Sequence, residues 1–254
     1  MAAVGLERYR ARVDAELEAR LPEWFPGAPA AHLQALRGIL ADGKRLRGGL
    51  ACLVAEALGA PAAAALPAAI AIELVQAASL VHDDLIDGDI MRRGRPAAWT
   101  ALSPRRAVLV ADLLFAAAIE RMARLGHREC AAIAEAIGAM AQGALLETEE
   151  HADYRRIIAL KTGSLFAAAA RLGALAAGAS EAMVDAATRL GAAAGGLYQI
   201  ADDRTDGAAT ASMDEEAVRL AALLEGALKD LPSEERLAEI ALTFAPRRSP
   251  SRTA

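Results

Sequence analysis

Two clusters of three aspartates each, far apart in the chain, are the residues best suited to chemistry. Both follow the pattern D-D-x-x-D, and they comprise Asp83, Asp84 and Asp87 in LVHDDLIDG and Asp202, Asp203 and Asp206 in YQIADDRTDG. Residues four apart lie on one face of a helix, so each cluster presents a pair of carboxylates one turn apart. Like charges at this spacing destabilise a helix, and a divalent cation that prefers oxygen ligands, such as Mg²⁺, would compensate them.

The surroundings of the two clusters indicate a substrate with an anionic head and a hydrocarbon tail. Protein-bound Mg²⁺ is usually shared between one or two carboxylates and substrate phosphates, so two facing clusters predict a diphosphate held between metal ions. Each cluster ends an apolar segment, IAIELVQAASLV or LGAAAGGLYQIA, and such helices are expected to be buried. The carboxylates would then lie at the mouth of an apolar cavity. A solvated helix end is the alternative for either cluster taken alone.

Helices are the elements that must position these residues. The composition is 55% hydrophobic and only 4% aromatic, and alanine dominates it, which favours closely packed helices. We predict an all-α, single-domain bundle of about ten helices around a central hydrophobic cavity, spanning residues 1–245 and followed by a mobile tail at 246–254. Apolar periodicity predicts helices at 6–21, 32–40, 48–58, 66–86, 104–125, 128–150, 155–175, 181–205 and 214–231.

Charge and cysteine usage narrow the class of protein. With 28 basic and 33 acidic residues the net charge is −5, which leaves no basic excess for nucleic acid. Cys52 and Cys130 lie in apolar helical contexts, which favours small core residues and a cytoplasmic setting.

The N-terminus has no secretory h-region. The most apolar run, 60–81, is interrupted by prolines and polar residues, so it predicts a loop and a buried helix rather than a transmembrane segment.

Five motifs in order resemble the trans-isoprenyl diphosphate synthases, which include farnesyl and geranylgeranyl diphosphate synthases. They are GKRLRGG at 43–49, ELVQAASLVHDDLID at 73–87, MRRGRPAAW at 91–99, KTGSLF at 161–166 and YQIADDRTD at 198–206. The resemblance implies the isoprenoid synthase fold and a prenyltransferase that uses Mg²⁺, three ions per site in the family with diphosphate bound. Such enzymes ionise an allylic diphosphate, add the carbocation to isopentenyl diphosphate and remove a proton.

The resemblance also implies roles for individual residues. As metal ligands it indicates Asp83, Asp87 and Asp202, with further ligands or supports in Asp84, Asp203 and Asp206. The residues that would contact the allylic diphosphate are Arg92 and Lys161. Contacts to isopentenyl diphosphate fall to Lys44, Arg47, Gln76 and Arg93. The developing carbocation would be faced by Lys161, Thr162 and Gln199.

Two features bear on the product and on completeness of the site. The positions whose bulk limits chain growth in the family hold Ala78 and Ser79, both small, which predicts mainly a C20 product, with C15 as the alternative; Phe115 could supply the stop. The family's lysine-containing loop after the second aspartate motif is missing here. We expect Arg204, or Arg247 and Arg248 in the tail, to fill part of that gap.

Two other functions remain open on the same fold. A class I terpene cyclase would need only one substrate, and retention of Lys44, Arg47 and Arg93 argues against it. A non-catalytic subunit of a prenyl synthase would have no use for two intact aspartate motifs. The family forms homodimers, and VLVADLLFAAAIERMARLG at 108–126 carries enough apolar surface for such a contact, although core packing explains the same pattern.

Overall fold

The fold is almost wholly helical. A computed structural model describes residues 4–208 and 210–232, together with positions 237 and 240. Within that part of the chain there are eleven α-helical segments, and two of them join through a π-helical turn into one continuous helix, so that ten helices result. The all-α prediction is confirmed. The predicted tail at 246–254 and the domain boundary at 245 lie outside the described residues.

The helices follow one another with short connections. Their bounds are α1 Val4–Trp24, α2 Ala30–Leu40, α3 Leu46–Ala57, α4 Ala62–Asp87, α5 Ala98–Leu102, α6 Pro104–Leu125, α7 His127–Glu147, α8 Tyr154–Ile158, the π turn Ala159–Gly163, α9 Ser164–Ala176, α10 Glu181–Thr205 and α11 Ala211–Lys229. A two-stranded hairpin, β1 Met91–Arg92 and β2 Arg95–Pro96, follows α4.

Local sequence signals explain the helix starts that agree with the sequence prediction. Packing explains the start of α4, which differs most from its predicted position. Helix α6 begins with a proline at its first turn, where the missing N–H is not needed. The Ser180 side chain caps α10 by accepting from the backbone N–H of Met183. The loop predicted before residue 66 is wrong, because α4 begins at Ala62 and contains Pro67. Burial of the surrounding alanines and Leu66 outweighs the lost hydrogen bond of that proline.

Small residues allow the central helices to approach one another closely. Helix α9 packs on both α3 and α10. A Cβ at Gly173 of α9 would collide with the Ala51 carbonyl of α3, and a Cβ at Gly191 of α10 would collide with the Phe166 carbonyl of α9. Glycine is required where backbones approach this closely. The alanine- and glycine-rich composition therefore serves tight helix packing.

The end of α4 is turned back on itself by the hairpin. Gly88 closes α4 with a positive φ of 74° and donates its N–H to the Asp84 carbonyl. Arg93 and Gly94 form the hairpin turn, with φ values of 52° and 74°, and two positive φ values are what a type I′ turn requires. The hairpin returns Arg92 to the side of the helix that carries Asp84.

Three helical stretches are long and apolar enough to cross a membrane by length and composition alone. They are Ala62–Asp87, His127–Glu147 and Tyr154–Ala176, and the proportion of their most apolar window that is buried inside the protein is 72%, 28% and 61%. Interior packing thus accounts for most of the first and third windows. The sequence prediction that none of them spans a membrane stays a prediction.

Candidate active site

The first aspartate cluster occupies the last turns of α4, and its members point in different directions. Asp83 is partly buried, and the Lys161 ammonium lies 3.9 Å from its Oδ1. Burial raises the pKa of the Asp83 carboxyl; Lys161 opposes that shift, and the nearby Asp87 and Glu147 carboxylates add to it. Around Asp83 the carboxylates of Asp87 and Glu147 thus face two cations, Lys161 and Arg92, and a further cation would balance the remaining negative charge.

Asp84 faces the hairpin instead of the Asp83 side of the helix. It is only 3% exposed, and its Oδ1 accepts hydrogen bonds from Nε of Arg92 at 2.7 Å and from Nη2 of the same residue. Adjacent residues of a helix are rotated by roughly 100°, so the two aspartates cannot share a face. Asp84 therefore anchors Arg92 near the cluster, and its role as a metal ligand stays a prediction.

The second cluster occupies the last turns of α10, and Asp203 is held on both oxygens. Its Oδ2 accepts from the Tyr154 hydroxyl at 2.6 Å, and its Oδ1 accepts from Gln199 Nε2 at 2.7 Å. Asp202 and Asp206 are exposed. Two neutral donors thus fix Asp203, whereas its exposed neighbours remain open to solvent.

The π turn between α8 and α9 carries Lys161 and Thr162. Burial alone would lower the pKa of Lys161, but a hydrogen bond of 2.5 Å to Glu147, together with the Asp83 and Asp87 carboxylates, raises it above its usual value. Lys161 is therefore a firmly charged ammonium. Thr162 is buried and donates its hydroxyl to Gln199 Oε1 at 2.7 Å. Single π turns within α-helices are frequent at functional sites.

Two glycines hold the π turn tightly between α7 and α10. A Cβ added at Gly143 of α7 would lie 2.7 Å from the backbone nitrogen of Lys161. A Cβ added at Gly195 of α10 would lie 3.0 Å from Cα of Gly163. Such contacts leave no room for a side chain, so the position of the turn is fixed from both sides.

The two aspartate clusters meet at this turn. Lys161 approaches Asp83 of the first cluster. The adjacent Thr162 reaches the second cluster through Gln199, which in turn is bonded to Asp203. The two helix ends are therefore connected through the π turn, although Asp87, Asp202 and Asp206 are exposed to solvent.

Basic residues from the start of α3 also approach the helices of the second cluster. The Arg47 guanidinium lies 4.5 Å from the Phe166 ring centre, and Lys44 Nζ lies 5.8 Å from that of Tyr198. Burial lowers the pKa of Arg47, and Glu73, Tyr198 and Asp202 oppose that shift. Within the described part of the chain, the buried Nε of Arg47 has no hydrogen-bond partner. An anion arriving here would satisfy it.

The remaining residues predicted to contact isopentenyl diphosphate lie on neighbouring elements. Arg93 donates Nη1 to the Ala41 carbonyl at 3.1 Å, next to the segment that carries Lys44. Burial lowers the pKa of Arg93, as do the cationic Arg45 and Arg92. Gln76 lies seven residues before Asp83, and that spacing puts both on one face of α4.

Arg45 is a structural centre that the sequence analysis did not single out. It is 6% exposed and donates to Asp14 of α1 at 2.6 Å, to Glu73 of α4 at 3.4 Å and to the Leu40 carbonyl of α2. Glu73 also accepts from the backbone N–H of Gly48 at 2.9 Å. Four helices are thereby tied to the turn that presents Lys44 and Arg47. The signal in the sequence was the GKRLRGG motif, which contains Arg45 in addition to Lys44 and Arg47, the two residues assigned to phosphate.

The residues predicted to control chain length lie on α4 and α6. Ala78 is fully buried and Ser79 is partly buried. The Phe115 ring of α6 packs on His82, with ring centres 5.7 Å apart. His82 follows Ala78 and Ser79 by one helical turn, so Phe115 lies beside them.

Arg204, expected to replace a missing cation, is directed elsewhere. Its guanidinium pairs with Asp214 at the start of α11. This contact closes the short connection between α10 and α11. Arg247 and Arg248, the other residues expected to fill the gap, lie outside the described residues.

The donor set fits Mg²⁺ only together with a substrate. Among the described residues, no group of three or more His, Cys, Asp or Glu side chains is close enough to hold an ion by itself. Mg²⁺ is normally bound by one or two carboxylates, waters and phosphate oxygens rather than by a complete protein cage. Asp83 and Asp87, one helical turn apart near the end of α4, provide a pair of that kind.

Comparison with known proteins agrees with this geometry. Residues 30–231 match the family model described as polyprenyl synthetase. The geranylgeranyl diphosphate synthase of Methanosarcina mazei is 33% identical over 179 residues, which are 65% of this chain and 55% of that protein. The heptaprenyl diphosphate synthase component 2 of Geobacillus stearothermophilus is 38% identical over 210 residues, which are 79% of this chain and 64% of that protein. The chain thus matches less than two thirds of the length of these relatives.

A solved structure extends the likeness to almost the whole fold. A polyprenyl synthase from Caulobacter crescentus CB15, complexed with calcium and isoprenyl diphosphate, has a TM-score of 0.82 and 25% identity, with 98% of both chains covered. A family model that matches most of the chain and a shared fold of this extent lead to one conclusion. The chain belongs to the polyprenyl synthetase family.

Proposed function

We propose that this protein is a Mg²⁺-dependent trans-prenyl diphosphate synthase that condenses an allylic diphosphate with isopentenyl diphosphate. One observation carries the proposal. The two aspartate clusters meet at the π turn, where Lys161 approaches Asp83 at 3.9 Å and Thr162 is joined to Asp203 through Gln199. Carboxylates of two helices and a charged lysine at one place are what a departing diphosphate requires.

The allylic diphosphate is held between the clusters. Asp83, Asp87, Asp202 and Asp206 provide the oxygen ligands for Mg²⁺, which when bound neutralises the leaving diphosphate. Lys161 donates to the same diphosphate from the π turn. Arg92 contributes its remaining guanidinium donors while Asp84 holds it in place.

Isopentenyl diphosphate binds beside the second cluster without metal. Its phosphates pair with Lys44, Arg47, Gln76 and Arg93. The unpartnered Nε of Arg47 supports this assignment, since a buried donor without an acceptor favours an incoming anion. The carbocation formed after ionisation is faced by the oxygens of Thr162 and Gln199 and is shielded from water by the apolar helices.

The product is C20, with C15 as the second length. Small side chains at Ala78 and Ser79 allow growth, and Phe115 beside them limits it. The family alone does not fix the length, because relatives carry names from geranylgeranyl to nonaprenyl diphosphate synthase. We further propose a cytoplasmic homodimer that associates through the exposed apolar residues of α6, namely Val108, Leu109 and Leu113.

One assay tests the function. Purified protein with Mg²⁺ is incubated with geranyl or farnesyl diphosphate, with and without isopentenyl diphosphate, and products are identified by mass spectrometry. A longer prenyl diphosphate formed only with both substrates supports the proposal. Cyclic hydrocarbon from the allylic substrate alone would instead identify a terpene cyclase. No product in either case would identify a non-catalytic subunit.

A further inference from the structure

Tyr154, the first residue of α8, lies beside the second cluster without a role in the reaction as proposed so far. Its hydroxyl donates to Asp203 Oδ2 at 2.6 Å. A phenol hydroxyl donates and an ionised carboxylate only accepts, so the Tyr154 proton lies in this contact.

Asp203 connects Tyr154 to the π turn through Gln199 and Thr162. Gln199 Nε2 donates to Asp203 Oδ1 at 2.7 Å, so the NH₂ group of the amide is directed to the carboxylate. The amide oxygen must then face the other way, and it accepts from the Thr162 hydroxyl at 2.7 Å. With its proton committed to Gln199, the Thr162 oxygen has only lone pairs to offer a neighbouring cation.

We propose that Tyr154 is a positioning residue of the prenyl transfer, and that Asp203 serves as its brace to Gln199 and Thr162 rather than as a metal ligand. The inference rests on the proposed function and gives one aspartate of the second cluster a different task. The exposed Asp202 and Asp206 retain the metal. Both Asp203 oxygens are already occupied by neutral donors, which is how a carboxylate orients neighbouring groups.

The consequence for kinetics follows from when the carbocation exists. Thr162 and Gln199 face positive charge only after the allylic diphosphate has ionised, so loosening them removes an interaction made in the transition state. Such a loss lowers kcat and leaves the KM of both diphosphates unchanged. Loss of a metal ligand would instead raise the Mg²⁺ concentration needed for half-maximal rate.

The test uses Tyr154→Phe, Asp203→Asn and the double variant. Tyr154→Phe removes the donor, and Asp203→Asn places an NH₂ group against one of two donors. We expect each single variant to lower kcat about 10-fold, the effect of one hydrogen bond lost from the transition state. The KM values and the half-saturating Mg²⁺ concentration should stay within about twofold of wild type, and the double variant should be no worse than the poorer single, as for residues of one network.

Tyr9→Phe is the matched control. The Tyr9 hydroxyl also donates to a partly buried carboxylate, Glu56, at 2.5 Å, but on α1 and α3, away from the aspartate clusters. This variant should lose thermal stability comparably to Tyr154→Phe and keep kcat. Melting curves of all variants separate loss of fold from loss of turnover, and Asp203→Asn still tests the brace should Tyr154→Phe not fold.

Each outcome decides the matter. A raised Mg²⁺ requirement for Asp203→Asn, a rise in KM larger than the fall in kcat, effects that multiply in the double variant, or an unimpaired Tyr154→Phe would overturn the inference while leaving the proposed function intact. A wild-type protein that does not join the two diphosphates would overturn the proposed function and the inference with it.

Discussion

Replacing Arg47 by methionine should make the protein more stable and its use of isopentenyl diphosphate poorer. The buried Nε of Arg47 has no hydrogen-bond partner within the described residues, and burial lowers the pKa of the guanidinium. An unsatisfied buried donor costs about 1–3 kcal/mol. The contact with Phe166 at 4.5 Å returns about 0.5–2 kcal/mol, and methionine keeps the packing volume. A net gain of about 1 kcal/mol, or about 2–4 °C in Tm, is expected for a chain of this size.

Replacing Arg47 by methionine should at the same time weaken the binding of isopentenyl diphosphate. A hydrogen bond between ionised groups contributes about 1.5–3 kcal/mol, so Arg47→Met should raise the KM for isopentenyl diphosphate about 10- to 150-fold. The KM for the allylic substrate should change little. The assays are differential scanning fluorimetry, with and without isopentenyl diphosphate, and steady-state kinetics at saturating allylic substrate.

Arg121→Met is the matched control because Arg121 has the same kind of aromatic contact and, within the described part of the chain, the same unpartnered Nε. The Arg121 guanidinium lies 4.5 Å from the Trp24 ring centre, its buried Nε has no hydrogen-bond partner among the described residues, and burial lowers its pKa. It packs α6 against α1, outside the site. Both variants should gain thermal stability, and only Arg47→Met should lose affinity. An unchanged KM for isopentenyl diphosphate in Arg47→Met would refute the reasoning.

Three further predictions concern the acidic cluster, the product and the assembly. Because the folded-state pKa of Asp83 is raised, ionisation of this carboxyl destabilises the metal-free protein above the usual carboxyl pKa. Asp83→Asn should therefore raise the Tm at pH 7, and melting curves recorded with chelator should show that this increase fades towards pH 4. Activity with Mg²⁺ should fall at least about 100-fold. Ala78→Phe should shorten the product as judged by mass spectrometry, and an unaltered product spectrum would count against this position as the end of the cavity. Leu113→Glu on the exposed face of α6 should convert a dimer into a monomer in light scattering, and a mass unaffected by the substitution would move the interface elsewhere.

The sequence could predict those features that depend on local signals. Helices α6 and α10 begin where expected because a proline and a capping serine mark their first turns. The start of α4 was missed because Pro67 is a helix breaker by itself, and only the buried surroundings show that its cost is outweighed. Local sequence rules treat a proline as the end of a helix, whereas tertiary packing determines whether the helix continues through it.

Within the site, the sequence identified the residues better than their contacts. The geometry of a helix already separates Asp84 from Asp83, but the contact of Asp84 with Arg92 depends on a hairpin within the motif at 91–99 that the sequence did not predict. Tyr154 escaped notice because the π turn shifts the helix face between it and Lys161. The resemblance named Lys161, Thr162 and Gln199, whereas the contact between Tyr154 and Asp203 was found only in the structure.

The π turn sets the rotational phase of everything that precedes it in the continuous helix. Plain α-helical geometry over the same number of residues at 159–163 would rotate α8 by roughly 100° relative to α9, because the π turn accommodates one extra residue. Tyr154 would then swing away from Asp203 although every side chain with a proposed task was still present. The backbone geometry of this turn is therefore as much a determinant of the chemistry as residue identity.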